Sequence, residues 1–180
     1  SRWPCMGGYL VGSGAARAAV KEARRIARAA GVPIAMTFSD PAMVRFFKPG
    51  LAEMLDDGVD LLFCNEEEAC LWSDALTVEH AIDGLKKIAR QFVITRGKDG
   101  ALFWDGAREI SIAPTPVTPL DSNGAGDMFA GACLFGLSRG WTPERAGALA
   151  SKAAAAVVGQ FGPRLPLETH AALLREFNAG

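Results

Sequence analysis

The stretch DSNGAGDMFAGA, residues 121–132, places small residues and two carboxylates directly before an apolar run. Backbone N–H groups at the start of a helix lack intrahelical partners, and the helix dipole favours an anion there. Gly124, Ala125 and Gly126 would let a phosphoryl group approach those amides without obstruction by side chains. Asp127 would lie beside the same anion. A carboxylate there is well placed to accept a proton from an attacking hydroxyl, a role that contributes ~10²–10⁴ in rate.

The same stretch also has a purely structural explanation. Asp121 or Asn123 would cap the following helix, since a short polar side chain at this position accepts a hydrogen bond from the first turn. The glycines would then only permit a tight turn. The residues of this stretch alone leave both explanations open.

A second candidate loop is CNEEEA, residues 64–69, which follows the strand-like run VDLLFCN. Asn65 ends the run and Glu68 follows three residues later, so that both side chains can face the same side of a strand-to-helix loop. An amide and a carboxylate there suit a hydrated Mg²⁺ and phosphate oxygens, because Mg²⁺ keeps most of its waters. The spacing equally predicts a capping box, with Asn65 at the N-cap and Glu68 at N3.

A third candidate loop is TRGKDGA, residues 95–101, after the apolar run QFVI. Thr95, Gly97 and Gly100 supply a hydroxyl and open backbone, which suit nucleotide phosphates. A glycine turn between two strands would use the same residues.

The order of strand-like and helix-like segments in the sequence predicts the fold that would position these three loops. Strand-like and helix-like segments alternate through most of the sequence, which favours a mainly parallel sheet with helices on both faces. In such folds ligands bind outside the carboxyl ends of the strands, where the three loops fall. The pattern predicts a strand in GGYLVG, a helix interrupted at Pro49, a hairpin turn at Asp105–Gly106, and helices over 124–139, 143–160 and 167–177.

Composition narrows the classes of function. A chain of 180 residues with 49% hydrophobic and 22% charged residues is typical of one globular domain, here residues 1–180. The formal net charge of −1 gives no electrostatic reason to expect nucleic acid or a membrane as a partner. The four cysteines lack metal-ligand spacing, which predicts reduced thiols. With no secretory signal in the sequence, we expect a cytoplasmic location.

Taken together, the motifs resemble those of the ribokinase-like, or phosphofructokinase-B type, sugar and nucleoside kinases. The resemblance rests on NEEEA for the family's N-x-x-E, on VITRGKDGALFW for its T-x-G-x-x-G strand pair, and on DSNGAGDMFAGA for its D-T-x-G-A-G-D signature. It continues into SKAAAAVVGQFGPRLP, which looks like the family's C-terminal helix beside the adenine pocket. Ser122 stands where the family usually has Thr, which keeps the hydroxyl.

The resemblance implies a three-layer α/β/α fold and an ATP-dependent kinase that phosphorylates a sugar or nucleoside. It makes Asp127 the catalytic base and the amides of Gly124, Ala125 and Gly126 an anion hole. It implies water-mediated Mg²⁺ at Glu68 and a monovalent cation such as K⁺ at Asp121. The residues that it assigns to the bound nucleotide are Asn65, Glu68, Thr95, Gly97, Gly100, Asn123, Lys152 and Ala153.

The resemblance also implies that the chain is the C-terminal, nucleotide-binding portion of a kinase, with an N-terminal part and a lid absent. Removal of neighbouring strands would expose a sheet edge, which predicts a homodimer paired along that edge. The stretches MTFSDPAMVRFFKPGL and GQFGPRLP look closer to the adenosine-kinase-like branch, and the particular sugar or nucleoside stays open.

Two alternatives remain beside the kinase interpretation. A truncated chain could act as a nucleotide-binding module without turnover. The stretch GYLVGSGAAR begins a dinucleotide-binding fingerprint with Gly12 and Gly14, but Arg17 replaces its third glycine.

Overall fold

The computed structural model describes residues 2–179 and has a three-layer α/β/α fold with a mostly parallel sheet. The strands, in their order across the sheet, are β1 (Cys5–Gly7), β2 (Ala35–Thr37), β3 (Val59–Asn65), β4 (Ala89–Thr95), β5 (Ala101–Trp104) and β6 (Glu109–Ile112). The helices are α1 (Gly14–Ala29), α2 (Pro41–Leu55), α3 (Glu66–Ser73), α4 (Val78–Lys86), α5 (Ala125–Ser138), α6 (Pro143–Val158) and α7 (Leu167–Ala179). The predicted parallel α/β fold is confirmed.

The described residues form two compact units. Unit 1 comprises residues 2–95 and Trp104–Arg108, and contains β1–β4 with α1–α4. Unit 2 comprises Arg96–Phe103 and residues 109–179, and contains β6 with α5–α7. No helix within residues 2–179 has the length and hydropathy that a membrane crossing requires.

The parallel strands of unit 1 position its candidate side chains. β1 pairs with β2, β2 with β3 and β3 with β4, all in parallel, and the last pair aligns Asn65 with Thr95. The strand interiors are apolar and buried, as expected for a sheet covered on both faces. Fully buried members include Met36, Leu61, Leu62, Phe92 and Ile94. Asn65 and Thr95 therefore lie side by side at the carboxyl edge of the sheet.

The interruption predicted at Pro49 occurs as a kink within α2. Asp40 caps this helix by accepting a hydrogen bond from the Ala42 N–H at 2.7 Å, and Pro41 occupies the first turn, where it costs no hydrogen bond. Phe47 leaves helical geometry, with φ −126°, two residues before Pro49. Proline lacks the N–H that an unbroken helix needs, which explains the bend.

The strand predicted in GGYLVG is wrong. Residues Gly8–Gly12 form a 3₁₀ turn, and β1 lies immediately before it and ends at Gly7. The Gly8 N–H donates to Ser39 Oγ at 2.8 Å instead of to a neighbouring strand. A Cβ at Gly8 would also collide with the backbone of Phe38. Glycine at this position therefore allows two backbone segments to pack closely, and it does not take part in strand pairing.

Unit 2 is built around the contact of α5 with α6. A Cβ at Gly136 of α5 would lie 2.9 Å from the Cβ of Ala146 in α6, so the absence of a side chain lets the two helices pack closely. The three helices of this unit agree with the predicted segments to within two residues at each end. The packing fixes α5, and with it the turn that precedes this helix.

Candidate active site

The turn before α5 has a conformation that requires glycine. Gly124 lies at the N-cap of α5 with φ +78°, in the left-handed region. A Cβ there would come within 2.5 Å of the carbonyl oxygen of Pro163. The positive φ and the close contact with Pro163 mean that any other residue at this position would force the backbone to move. Gly124 therefore determines the direction in which the chain enters α5.

The amides of this turn are partly free. The Ala125 N–H donates to the Ser122 carbonyl at 3.3 Å, a long hydrogen bond, and so already has an acceptor. The N–H groups of Gly124 and Gly126 have no acceptor within residues 2–179. Of the three amides predicted to receive an anion, two are therefore available without breaking an internal bond.

The Asp127 side chain is exposed in the first turn of α5 and contacts no donor or cation among the described residues. A Cβ added at Gly126 would meet no atom within 4 Å. Glycine in the middle of a helix costs roughly 0.5–1 kcal/mol relative to alanine, and no packing among residues 2–179 explains the glycine at position 126. The result is an open surface on which an exposed carboxylate stands beside unpaired amides.

The capping alternative for Asp121 and Asn123 is wrong. The N-cap of α5 is Gly124, and no side chain caps the helix. Asp121 instead accepts the Asn123 N–H at Oδ1 and the Gly162 N–H at Oδ2, each at 3.0 Å. These two hydrogen bonds hold the pKa of the Asp121 carboxyl below its ordinary value, because they stabilise the charged form.

Asn65 and Glu68 form the capping box in unit 1. The Asn65 side chain accepts the Glu68 N–H at 2.8 Å, and Glu68 Oε2 accepts the Asn65 N–H at 2.9 Å. The structural explanation of this spacing is confirmed. The capping box uses only one carboxylate oxygen of Glu68. The other oxygen, Oε1, accepts no hydrogen bond from the described residues.

Glu68 is an unusual capping residue, since its side chain is buried, with only 4% of the residue exposed. Burial raises the pKa of Glu68 to about 7, against the hydrogen bond from the Asn65 N–H, which lowers it. The carboxylates of Asp40 and Glu67 also raise this pKa. Near neutral pH a proton or a cation therefore relieves the cost of the buried charge.

Glu68→Gln is expected to stabilise the protein at pH 8. The folded chain binds a proton on Glu68 more tightly than the unfolded chain, whose pKa is near 4.5. The wild type therefore loses stability as the pH rises from about 5 to 7, whereas glutamine keeps the capping hydrogen bond without a charge. We expect a gain of about 1–3 kcal/mol at pH 8 that disappears near pH 4.5, measured by urea unfolding in EDTA.

The matched control for this prediction is Glu67→Gln, because Glu67 is exposed on the same helical turn and pairs with Arg45 at 3.2 Å. We expect it to change stability by less than about 0.5 kcal/mol at either pH. Equal pH dependence of unfolding in the wild type and Glu68→Gln would contradict the assignment of the raised pKa.

The third candidate loop contains three predicted site residues, and contacts within the chain account for some of them but not for all. The Thr95 hydroxyl donates to the Cys64 carbonyl at 3.4 Å within unit 1. In unit 2, Gly100 has φ +84° and packs against the backbone of Ile112 and Pro114, which accounts for the glycine. Gly97 also has positive φ, +54°, but no atom lies within 4 Å of an added Cβ. Of the two glycines, only Gly97 therefore has open space where a side chain would lie.

Lys152 and Ala153 lie in the middle of α6. Lys152 pairs with Glu176 of α7, Nζ to Oε2, at 3.2 Å. Ala153 is buried in unit 2. Both assignments to a nucleotide stay predictions.

The described residues contain no cluster of three or more His, Cys, Asp or Glu side chains that could hold a metal ion. Glu68 could therefore serve Mg²⁺ only together with water or phosphate oxygens, which is the usual coordination of this ion. The free Oε1 of Glu68 fits that arrangement.

The fold and this turn define a class: a three-layer α/β/α protein whose glycine-rich turn opens a helix with two free amides and an exposed acid. Residues 5–170 match the model of the pfkB family carbohydrate kinases. The chain belongs to this family.

Relatives and solved structures agree with this membership. The chain is 36% identical to a ribokinase of Bacillus subtilis over 59% of its own length and 35% of that protein. It is 30% identical to the adenosine kinase of Saccharomyces cerevisiae over 76% of its length and 44% of that protein. The adenosine kinase structure from Sinorhizobium meliloti is 32% identical, with a TM-score of 0.92 over 98% of this chain and 54% of the other. The chain thus spans about half the length of its relatives, or less.

A further neighbour is the structure of an E. coli putative ribokinase II in complex with ATP and Mg²⁺. It is 25% identical, with a TM-score of 0.84, and covers 97% of this chain and 59% of the other. Adenosine kinases among the relatives are consistent with the adenosine-kinase-like features of the sequence.

Proposed function

We propose that the chain carries the nucleotide side of an ATP-dependent kinase that phosphorylates a hydroxyl of a sugar or nucleoside. The observation that carries the proposal is the start of α5, where the exposed Asp127 lies beside the unpaired amides of Gly124 and Gly126. Membership of the pfkB family supports phosphoryl transfer in general terms.

In the proposed reaction Asp127 accepts the proton of the acceptor hydroxyl. The hydroxyl oxygen forms a bond to the γ-phosphorus while the bond from that phosphorus to the bridging oxygen breaks, so that ADP leaves with the bridging oxygen. The amides of Gly124 and Gly126 donate to the phosphoryl oxygens, with Ala125 joining if its long internal bond yields. Positioning and electrostatics supply most of the acceleration in such transfers.

The remaining assignments concern groups that accompany ATP. Mg²⁺ bound with the nucleotide would neutralise phosphate charge, and Glu68 would orient its water shell through Oε1. Thr95, Gly97 and Asn123 would contact the phosphates, and Lys152 would lie near the adenine. The resemblance adds K⁺ at Asp121, whose two carboxylate oxygens each accept one N–H and each keep a second lone pair.

The proposal also covers the substrate that accepts the phosphoryl group, the oligomeric state and the cellular location. We favour a nucleoside over a plain sugar, because adenosine kinases are among the relatives. β1 lies at one end of the strand order, and this edge supports a homodimer formed by strand pairing. No disulfide joins the cysteines of residues 2–179, which suits a reducing compartment such as the cytoplasm.

The direct test measures nucleotide binding and transfer separately. We expect calorimetry to show Mg²⁺-dependent binding of ATP that inorganic triphosphate displaces, since the proposed contacts are to phosphates. A phosphotransfer assay with adenosine and ribose follows. Binding with transfer supports the kinase, binding without transfer supports a nucleotide-binding module, and no binding at millimolar ATP overturns both.

A further inference from the structure

A cavity of about 600 Å³ lies between α1 and α2 in unit 1. Its α1 wall is basic and its α2 wall is acidic. The charged lining residues are Lys21, Arg24, Arg25 and Arg28 from α1, with Glu53 and Asp56 from the last turn and C-cap of α2. Arg24 also donates to the carbonyl of Gly58, which immediately precedes β3, at 3.0 Å. The cavity therefore lies near the amino end of β3, about 20 Å from Asn65 at the other end of that strand.

Most charges of this cavity are already paired. Lys21 donates to Glu53 at 2.6 Å, and Arg28 pairs with Asp57. Arg25 pairs with a glutamate of its own helix. Two groups of opposite sign remain, a guanidinium nitrogen on the α1 wall and a carboxylate on the α2 wall.

The unpaired nitrogen belongs to Arg24, which is buried, with 3% of the residue exposed. Its Nη2 donates to Asp57 Oδ1 at 3.1 Å and to the Gly58 carbonyl, whereas Nη1 has no acceptor within residues 2–179. Burial lowers the pKa of Arg24 and the charge of Arg28 lowers it further, against the carboxylates of Asp57 and Asp56, which raise it. The buried charge is thus incompletely compensated, and an anionic acceptor on Nη1 would stabilise it.

The unpaired carboxylate belongs to Asp56, which is exposed and forms no hydrogen bond or ion pair with the described residues. Asp56 has φ +51° and ψ −117°, a conformation that favours glycine over a residue with a side chain. An aspartate here lowers stability, and no side-chain contact within residues 2–179 compensates for it. Its carboxylate is available to a donor from a ligand in the cavity.

A simple anion fits only half of this arrangement, because it would be repelled by Asp56 and Glu53. A ligand with a carboxylate and an ammonium group fits both walls, since the carboxylate accepts from Arg24 while the ammonium donates to Asp56. Nη1 is closed to solvent, so the ligand reaches it only when a neighbouring side chain moves. The side chains of Lys21 and Arg25 are 52% and 68% exposed, and exposed ion pairs cost little to break.

We infer that this cavity binds the zwitterionic group of a small amino acid, with the ligand carboxylate on Arg24 Nη1 and the ligand ammonium on Asp56. The site lies at the opposite end of β3 from Asn65, and its occupancy does not depend on the proposed kinase activity. Every group that it uses belongs to unit 1.

NMR of the full chain tests the site with glycine, β-alanine and 4-aminobutyrate, in which the two charges lie progressively farther apart. We expect at least one of them to bind with a dissociation constant below about 10 mM and to shift the Arg24 side-chain resonances saturably. Acetate and methylammonium each carry one of the two charges and are expected to bind at least about tenfold more weakly. The absence of saturable shifts with all three zwitterions overturns the site. Equally tight binding of acetate or methylammonium overturns the zwitterion as its ligand.

Asp56→Gly separates binding from folding. Glycine relieves the positive φ, and a negative charge leaves the C-terminal end of α2, so we expect unfolding at a higher urea concentration than in the wild type. We expect affinity for the tightest zwitterion to fall at least about tenfold in the same variant. Loss of folding cannot explain weaker binding by a more stable protein. Unchanged affinity in Asp56→Gly overturns the contact with the ammonium group.

Asp74→Gly is the matched control, because Asp74 is also an aspartate with positive φ, +52°, at the C-cap of a helix in unit 1. Its carboxylate pairs with Lys48 at 2.8 Å and does not line the cavity. We expect affinity for the zwitterion to stay within about twofold of the wild type, since the two positions share no partner. A loss as large as that in Asp56→Gly would show that the effect does not come from a contact in the cavity, and would overturn the inference.

Discussion

Asp127→Asn is expected to lower phosphoryl transfer by at least about 10²-fold while leaving ATP affinity within twofold of the wild type. Asparagine has nearly the same shape, but its amide cannot accept the proton of an attacking hydroxyl. The wild-type carboxylate contacts no donor or cation among the described residues, so its loss breaks no internal bond. Removing a negative charge beside a phosphate removes a repulsion, so we expect no loss of nucleotide affinity.

Single-turnover transfer from labelled ATP measures the chemical step, and calorimetry measures the affinity. Glu144→Gln is the matched control, because Glu144 is the acidic residue in the first turn of α6 and has the same favourable relation to a helix dipole. Both variants lose that small stabilisation, about 0.3–1 kcal/mol. Only Asp127→Asn should lose transfer, and a wild-type rate in this variant would remove Asp127 as the base.

The sequence predicted the scaffold well because the scaffold depends on local patterns. The bounds of α5 follow from a glycine turn and an apolar run, and Asn65 at the end of β3 follows from a buried strand that meets a capping residue. The prediction for GGYLVG was wrong because a short apolar run between glycines resembles a strand. The contacts that end β1 come from Phe38 and Ser39, which only the fold brings close.

Other features of the site depend on contacts that no local pattern reveals. The bond from Gly162 to Asp121 spans 41 residues. Lys152 pairs with Glu176, which lies on a different helix. The spacing of Asn65 and Glu68 did predict a capping box, but not the burial that raises the pKa of Glu68, because burial depends on what packs above the helix. The sequence was therefore enough to identify the candidate residues, whereas their hydrogen-bond partners and pKa values depend on contacts formed only in the folded chain.

Gly126→Ala is expected to raise stability and lower nucleotide binding in the same protein. An added Cβ meets no atom within 4 Å, so the variant gains the helix preference of alanine over glycine, about 0.5–1 kcal/mol. The same methyl group would occupy the space in which a phosphate approaches the unpaired amide. We expect ATP affinity to fall at least tenfold, and transfer to fall by about 10²–10³, the usual effect of losing one oxyanion donor.

Gly131→Ala makes this prediction decisive, because Gly131 lies in the same helix, is exposed, and also has no atom within 4 Å of an added Cβ. Both variants should gain stability in urea unfolding, Gly131→Ala at least as much because it lies in the helix interior, and only Gly126→Ala should lose nucleotide binding and transfer. Packing among residues 2–179 cannot produce that difference in binding, because no atom lies within 4 Å of an added Cβ at either glycine. Equal ATP affinity in both variants would mean that no phosphate approaches the backbone at Gly126, and the proposed site would have to be abandoned.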